Sequence, residues 1–308
     1  MRFNLSLLVL NRKMVHIKYF SILKEGKQMG REENIQVFAD TKQKCLSDTR
    51  LKQAIAKANA AQILLLESDI ETKKPAFQYM RPAQVVISKK RTLEAASTYT
   101  GKRDCVLNFA SATNPGGGVT RGSSAQEEAI CRCSTLYFSL IEQNIWKGFY
   151  APHRAQKNPL HNDDCIYTPG VVVFKTDTAA PMTMPPEEWY TVDVLTCAAP
   201  NLRERPSNRM NEGDGHIRTK ISRGELRQLH EKRMRRILGL AAAKGNEVMI
   251  LGAFGCGAFC NPPEIVAEAM KTVIQEYRKA FEVIEFAVYC SPQDSRNYQA
   301  FDRMFRQV

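Results

Sequence analysis

The sequence predicts an α/β protein built on a largely parallel sheet with helices on both faces, and three observations carry that prediction. After about residue 82, short β-rich apolar runs alternate with amphipathic stretches of helical spacing. Several of the runs are apolar almost throughout, as in DCVLNFA (104–110) and DVLTCAAP (193–200), which suits strands buried on both sides. Two of them end in glycine-rich loops that lead into helices, the layout of ligand crevices in open α/β sheets.

Taken in order, residues 1–28 read as an extension ahead of a natural start at Met29. Residues 31–60 are polar with helical spacing, so 29–82 is expected to be a helical N-terminal segment and 83–308 the body. Strands are expected over 83–88, 104–110, 166–174, 191–198, 247–254 and 284–290. Helices are expected over 92–99, 127–144, 224–244, 262–281 and 296–306. In the second helix Ile130, Cys133, Tyr137, Leu140 and Ile141 share one face. Residues 147–190, rich in Pro, Asn, Asp and Met, are expected to be mostly loop with one strand. APNLRERPSNRMNEGDGH (199–216) reads as a second long loop, and long loops in compact domains tend to carry function.

The chain has 308 residues, 44% hydrophobic and 25% charged, enough for a sizeable core and unlike a disordered or fibrous protein. No apolar run approaches the ~18–20 residues that cross a bilayer. The first twenty residues are interrupted at Asn4 and closed by NRK with no small-residue cleavage site, so a cytoplasmic protein without membrane partners is expected. Nine cysteines, an odd number without a CxxC, lie mostly in apolar runs and read as buried reduced thiols. The two of CRC (131–133) would point about 200° apart on a helix, which argues against a metal pair. The net charge is +12, of which residues 1–28 contribute +5. The remaining surplus suits an anionic ligand such as a phosphorylated metabolite or polyphosphate polymer, without by itself distinguishing it from a nucleic acid.

In NPGGGVTRGSSAQEE (114–128) three glycines are followed, after a short loop, by Gln126, Glu127 and Glu128 at a helix start. In VMILGAFGCGAFCNPPEIVAEAM (248–270) a strand runs through Gly252, Gly255 and Gly257 to Asn261, expected to be the N-cap of a long helix. Such loops let backbone N–H groups converge on phosphate, although neither has the Walker or GxGxxG pattern. Two at neighbouring strand ends would suit a ligand with two phosphates and two sugars.

These blocks, with VLNFASATNPGGG, YTPGVVVFK, VDVLTCAAPN and LGAFGCGAFCN in order over about residues 31–308, resemble the compact microbial type of poly(ADP-ribose) glycohydrolase. The resemblance implies a macrodomain fold, a mixed sheet between helices that binds ADP-ribose. It implies Glu128 as catalytic acid/base and Glu127 as holder of the reacting ribose. Asn114, Gly116, Gly117, Gly118 and Gln126 would be substrate-binding, as would Gly255, Cys256, Gly257, Ala258 and Phe259, the last packing on ribose or adenine. The bond cut would be the ribose–ribose link of poly(ADP-ribose), from chain ends. The alternatives are a mono-ADP-ribosyl hydrolase and a non-catalytic ADP-ribose reader. The partner would be poly(ADP-ribose) or an ADP-ribosylated protein rather than a nucleic acid, with no cofactor and no metal.

The chemistry suits these residue types. Cleavage of a ribosyl acetal needs an acid on the leaving oxygen, hence a carboxyl of raised pKa. Burial and an adjacent carboxylate push that way, while a helix N-terminus opposes them. Adjacent helical residues point about 100° apart, so one glutamate should be chemical and the other positional. Alone, QEE is a common acidic helix start; the glycine loops tip the reading towards a site. HNDDC (161–165) is expected to be a turn rather than a metal cluster. RTKISRGELRQLHEKRMRR (218–236) reads as a solvated helix face, and Phe254 as core.

Overall fold

The computed structural model describes residues 29–69, 75–76, 78–291 and 293–306, so the reading of 1–28 as an extension lies outside the described residues. The chain runs α1 (Arg31–Ser47), α2 (Thr49–Ala61), β1 (Ile63–Leu65), β2 (Gln84–Ser88), α3 (Thr92–Ala96), β3 (Asp104–Ala110), α4 (Gln126–Cys133) and α5 (Leu136–Leu140). There follow α6 (Gln143–Ile145), a π-helical turn (Trp146–Tyr150), α7 (Ala151–Gln156), β4 (Cys165–Val173), β5 (Tyr190–Ala198) and α8 (Arg223–Ala243). The chain ends with β6 (Val248–Leu251), α9 (Pro263–Tyr277), β7 (Val283–Ala287) and α10 (Arg296–Phe305).

Seven strands form one sheet in the order β1-β4-β5-β3-β6-β7-β2. From β5 to β2 every pairing is parallel, and β4 and β1 close the other edge antiparallel. Strand β3 shows why its sequence is apolar on both sides. Cys105 and Leu107 face a core shared with Met234 and Ile237 of α8 and Val266 and Met270 of α9. Val106 faces the other core, with Ile130 of α4, Leu136 of α5 and Phe149. The α/β class and the largely parallel sheet are as expected.

Four expectations need correction. The helix expected over 127–144 is three helices, because Ser134 turns extended and bridges Val173 while Thr135 N–H donates to Val172 O at 3.0 Å. Pairing with β4 wins over helix propagation there. Residues 147–190, expected to be mostly loop, include the π-helical turn and α7, with Phe149 and Tyr150 buried. Strand β1 follows α2 directly and was not foreseen; at three residues it is too short for a periodic signal. Strand β6 stops at Leu251 rather than reaching Phe254, since Gly252 opens the loop.

The N-terminal helix α1 buttresses the glutamate helix. Phe38 meets Tyr137 edge-on at 4.9 Å between ring centres, and Thr41 Oγ1 donates to Arg132 O at 2.5 Å. All nine cysteines are unpaired, six of them buried. Among the described residues no helix is long and apolar enough to cross a membrane.

Candidate active site

Strands β3 and β6 are neighbours and parallel, so the loops after them leave the sheet side by side. They bound a cleft of about 350 Å³, the scale of small-molecule sites. One wall holds Ser111, Gly117, Gln126, Glu127 and Glu128; the facing wall holds Gly255, Gly257, Ala258 and Phe259.

The first turn of α4 aims its three polar side chains differently. Gln126 clamps the helix to the sheet: its amide donates to Leu107 O (2.8 Å) and Thr92 Oγ1 (3.0 Å) and accepts from Phe109 N–H (2.8 Å). It borders the cleft, but its amide is used within the protein. Glu127 turns inward, accepting from Ser111 N–H at 2.8 Å and Asn108 Nδ2 at 3.3 Å. Burial, then the charge of Glu128, push its carboxyl well above the ordinary range, against the backbone bonds that lower it.

Glu128 turns the other way. Its Oε1 accepts from Gly118 N–H at 2.8 Å, and its Oε2 has no hydrogen-bond partner among the described residues. The two carboxyls take different hydrogen-bond partners, yet both reach the same glycine. Gly117, at φ +59°, lies flat against both: a Cβ there would stand 2.5 Å from Glu128 Oε1 and 3.0 Å from Glu127 Oε2. Only glycine fits that conformation and that gap. The triplet and the paired glutamates sit close in sequence because they are one packed unit.

Asn114 is not brought to the cleft wall. Its amide donates to Glu212 O at 2.8 Å and Thr113 Oγ1 at 3.0 Å, and its Oδ1 accepts from Arg154 at 3.2 Å. Gly116 and Gly118 do not line the cleft: a Cβ on Gly116 would meet Tyr137 and Val119, and one on Gly118 would meet Ser123. On the facing wall, Cys256 turns towards the core, where burial pushes its thiol up. Gly255, at φ +76°, is wedged against Ala199 and Asn261. Phe259 lines the cleft, whereas Phe254 is buried against Phe109, as expected of core.

Asn261 is not the expected N-cap: Pro262 holds that place with no side-chain cap. Its amide donates to Pro200 O (2.7 Å) and Gly255 O (3.0 Å), and His230 Nε2 lies 2.9 Å from its Oδ1, so it shapes the second glycine loop instead. HNDDC is structural: Asp163 pairs with the buried Arg233 at 2.9 Å, and Asp164 accepts from Glu67 N–H at 2.5 Å. Among the described residues no group of three or more His, Cys, Asp or Glu is placed to hold a metal.

Sequence reasoning missed Ser111, whose N–H holds Glu127, and Arg203, Met210 and Asn211 of the 199–216 loop, which all border the cleft. It also missed the far end, where Arg91 stacks over Tyr289 at 4.0 Å. The only available signal was the polarity and length of that second loop.

An open α/β sheet with two facing glycine loops, and a carboxyl pair packed under one of them, defines a site for a phosphorylated sugar ligand with acid chemistry at one end. Comparison with known proteins narrows this class. The chain belongs to the microbial-type poly(ADP-ribose) glycohydrolase (PARG) family, whose catalytic-domain model matches residues 19–176. Among solved structures, PARG from Thermomonospora curvata is 29% identical over 89% of this chain and 100% of that chain, with a TM-score of 0.74. The same enzyme bound to the inhibitor ADP-HPD is 28% identical over the same shares, with a TM-score of 0.72. PARG from Deinococcus radiodurans in complex with ADP-ribose is 30% identical over 82% of this chain and 97% of that chain, at a TM-score of 0.66. No curated protein matches the chain.

Proposed function

We propose that the protein hydrolyses the ribose–ribose O-glycosidic bonds of poly(ADP-ribose), releasing ADP-ribose, with Glu128 as the acid. The reading rests above all on one observation. Gly118 N–H fixes one oxygen of Glu128 while the other meets no protein partner at the cleft.

The roles are those that the family resemblance implies, and the geometry supports them. Burial, and then the adjacent Glu128, push the Glu127 carboxyl up, the direction that favours a bound proton. Glu128 passes the proton to the leaving ribose oxygen as the C1–O bond breaks. Water adds to C1 of the oxocarbenium-like sugar, and its proton returns to the carboxylate. Glu127, tied to Ser111 and Asn108, orients the reacting ribose. The diphosphate lies along the second glycine loop, where its charge steadies the cationic sugar, and Phe259 packs on a ribose or the base. Attack from chain ends is the mode that the family resemblance implies. Nothing in this scheme calls for a metal or cofactor.

The test is product analysis on poly(ADP-ribose) with the wild type and Glu128→Gln. Monomeric ADP-ribose from the wild type, with a loss of at least about 10³-fold in the variant, is the expected result. Cleavage of mono-ADP-ribosylated protein alone, or ADP-ribose binding without cleavage, would replace this reading. Oligomeric products early in the reaction would replace chain-end attack.

A further inference from the structure

The polar loop after β5 contains a carboxylate that the scheme above does not use. Asp214 is fully buried, yet it is crowded with donors: Asn201 Nδ2 at 2.7 Å, Asn211 Nδ2 at 2.7 Å and Thr113 Oγ1 at 3.1 Å. The imidazole of His161 completes the shell, with Nε2 at 3.3 Å from Asp214 Oδ1 and Nδ1 at 2.8 Å from Ala199 O. Burial alone would raise this carboxyl, but its bonds to His161, Asn201 and Asn211 hold it below the ordinary range. A charge so deep in the protein persists only where its donors are in place, and removing a partner leaves the rest unpaired.

What those donors belong to matters more than their number. Thr113 lies in the glycine-triplet loop, directly before Asn114. Asn211, on its other side, accepts from Ser111 Oγ at 2.5 Å. Ser111 in turn holds the start of the loop, its Oγ accepting from Thr113 N–H (3.3 Å) and Asn114 N–H (3.0 Å), while its own N–H holds Glu127. On the far side, the His161 ring lies 6.0 Å from that of Phe259 on the second glycine loop. The first wall of the cleft therefore reaches this buried carboxylate through hydrogen bonds, and the second through the ring contact of His161 with Phe259.

We propose that Asp214 is a positioning residue for glycosidic cleavage: through Thr113, and through Asn211 and Ser111, it sets the glycine-triplet loop and Glu127 against the reacting ribose. The inference rests on the glycohydrolase reading above. It assigns to the 199–216 loop a function in the chemical step, in addition to forming a wall of the cleft.

The experiment measures turnover on poly(ADP-ribose), ADP-ribose affinity by calorimetry and thermal melting for the wild type and five variants, Ser111→Ala alone among them. Asp214→Asn is expected to lower kcat about 10²-fold, the scale of an ångström of misplacement, with ADP-ribose affinity within about threefold because the second glycine loop is intact. Thr113→Val, which keeps shape and removes one arm, should shift kcat in the same direction by about tenfold and decides the matter if Asp214→Asn does not fold. Combining Asp214→Asn with Ser111→Ala should be no slower than the worse single variant, since both break one chain. Asp193→Asn is the stability control; it lies at the opposite end of the sheet, where Asp193 accepts from Asn246 Nδ2 at 2.8 Å and Gly170 N–H at 3.0 Å. It should lower the melting temperature without a selective fall in kcat. Folded Asp214→Asn with wild-type kcat, additive losses in the double variant, or losses that merely track melting as in Asp193→Asn would overturn the inference alone. A wild type that releases no ADP-ribose would overturn the functional reading and this inference with it.

Discussion

At the scale of single residues, the site turns on Gly117. Its positive φ and its contact with both carboxylates make it, among the described glycines, the position where a methyl group would press on Glu127 and Glu128 directly. Gly117→Ala is expected to cost roughly 1–3 kcal/mol of backbone strain and to lower turnover by at least about 10²-fold. Melting curves and initial rates on poly(ADP-ribose) check both halves. A variant that melts lower yet turns over normally would separate the packing from the chemistry. That Glu127 and Glu128 would take different partners was legible in their adjacency, because neighbouring helical residues leave the axis about 100° apart. Which partners each takes was not. That depended on Asn108 and Ser111, which the strand presents only once it is paired.

At the scale of elements, the second glycine loop separates two reasons for glycine. Gly255 is needed by the fold, with a left-handed backbone and Ala199 pressed against it. At Gly257 a Cβ would meet nothing within 4 Å, yet the residue borders the cleft. Its open space suits a ligand's diphosphate rather than a protein neighbour. Gly257→Ala should therefore melt like the wild type but bind ADP-ribose about tenfold more weakly, the worth of one charge-assisted hydrogen bond. Calorimetry with ADP-ribose tests it, and unchanged affinity would remove this loop from the phosphate site. The broken helix after Cys133 shows the limit of periodicity. Ile130, Cys133 and Leu140 of the expected apolar face are buried, but Ile141 is exposed, and a backbone bridge to β4 overrode the helix at Ser134.

At the scale of the molecule, the sheet has a wet end and a buried end. Opposite the cleft, Asp104 begins β3, where burial and then the nearby Asp193 push its carboxyl up to about 7. The unfolded chain gives up that proton near pH 4, so between about 4 and 7 the folded state holds more protons. The stability contributed by this protonation is complete below about pH 4 and is lost as pH rises through 7. Asp104→Asn, which cannot ionise, should melt higher than the wild type at pH 8, with the gap closing towards pH 4. Thermal scans across that range decide it; a constant gap would mean that the carboxyl is already ionised throughout. The basic segment is only partly the solvated helix face its sequence suggested: residues 218–222 precede α8, and His230 and Arg233 are buried. Arg227 pairs with Glu268 and Arg235 with Glu276, tying α8 to α9 across an exposed surface. Such exposed pairs contribute little individually.

The sequence by itself determined the parts whose cause is local. These are the strands buried on two faces, the helices of long amphipathic period, the glycine loops at strand ends and the carboxyl pair at a helix start. Each is written within a few residues, where backbone sterics and the two periodicities act. Only the tertiary structure decided that Glu127 bonds to Ser111 and Asn108 while Glu128 bonds to Gly118, that Asn261 shapes a loop instead of capping a helix, and that Asn114 bonds to Glu212 and Arg154. It alone brought Ser111 and Asp214, 103 positions apart in the chain, into one network. Hydrogen bonds between distant loops leave no periodic trace, since their partners are chosen by where the sheet places its strand ends.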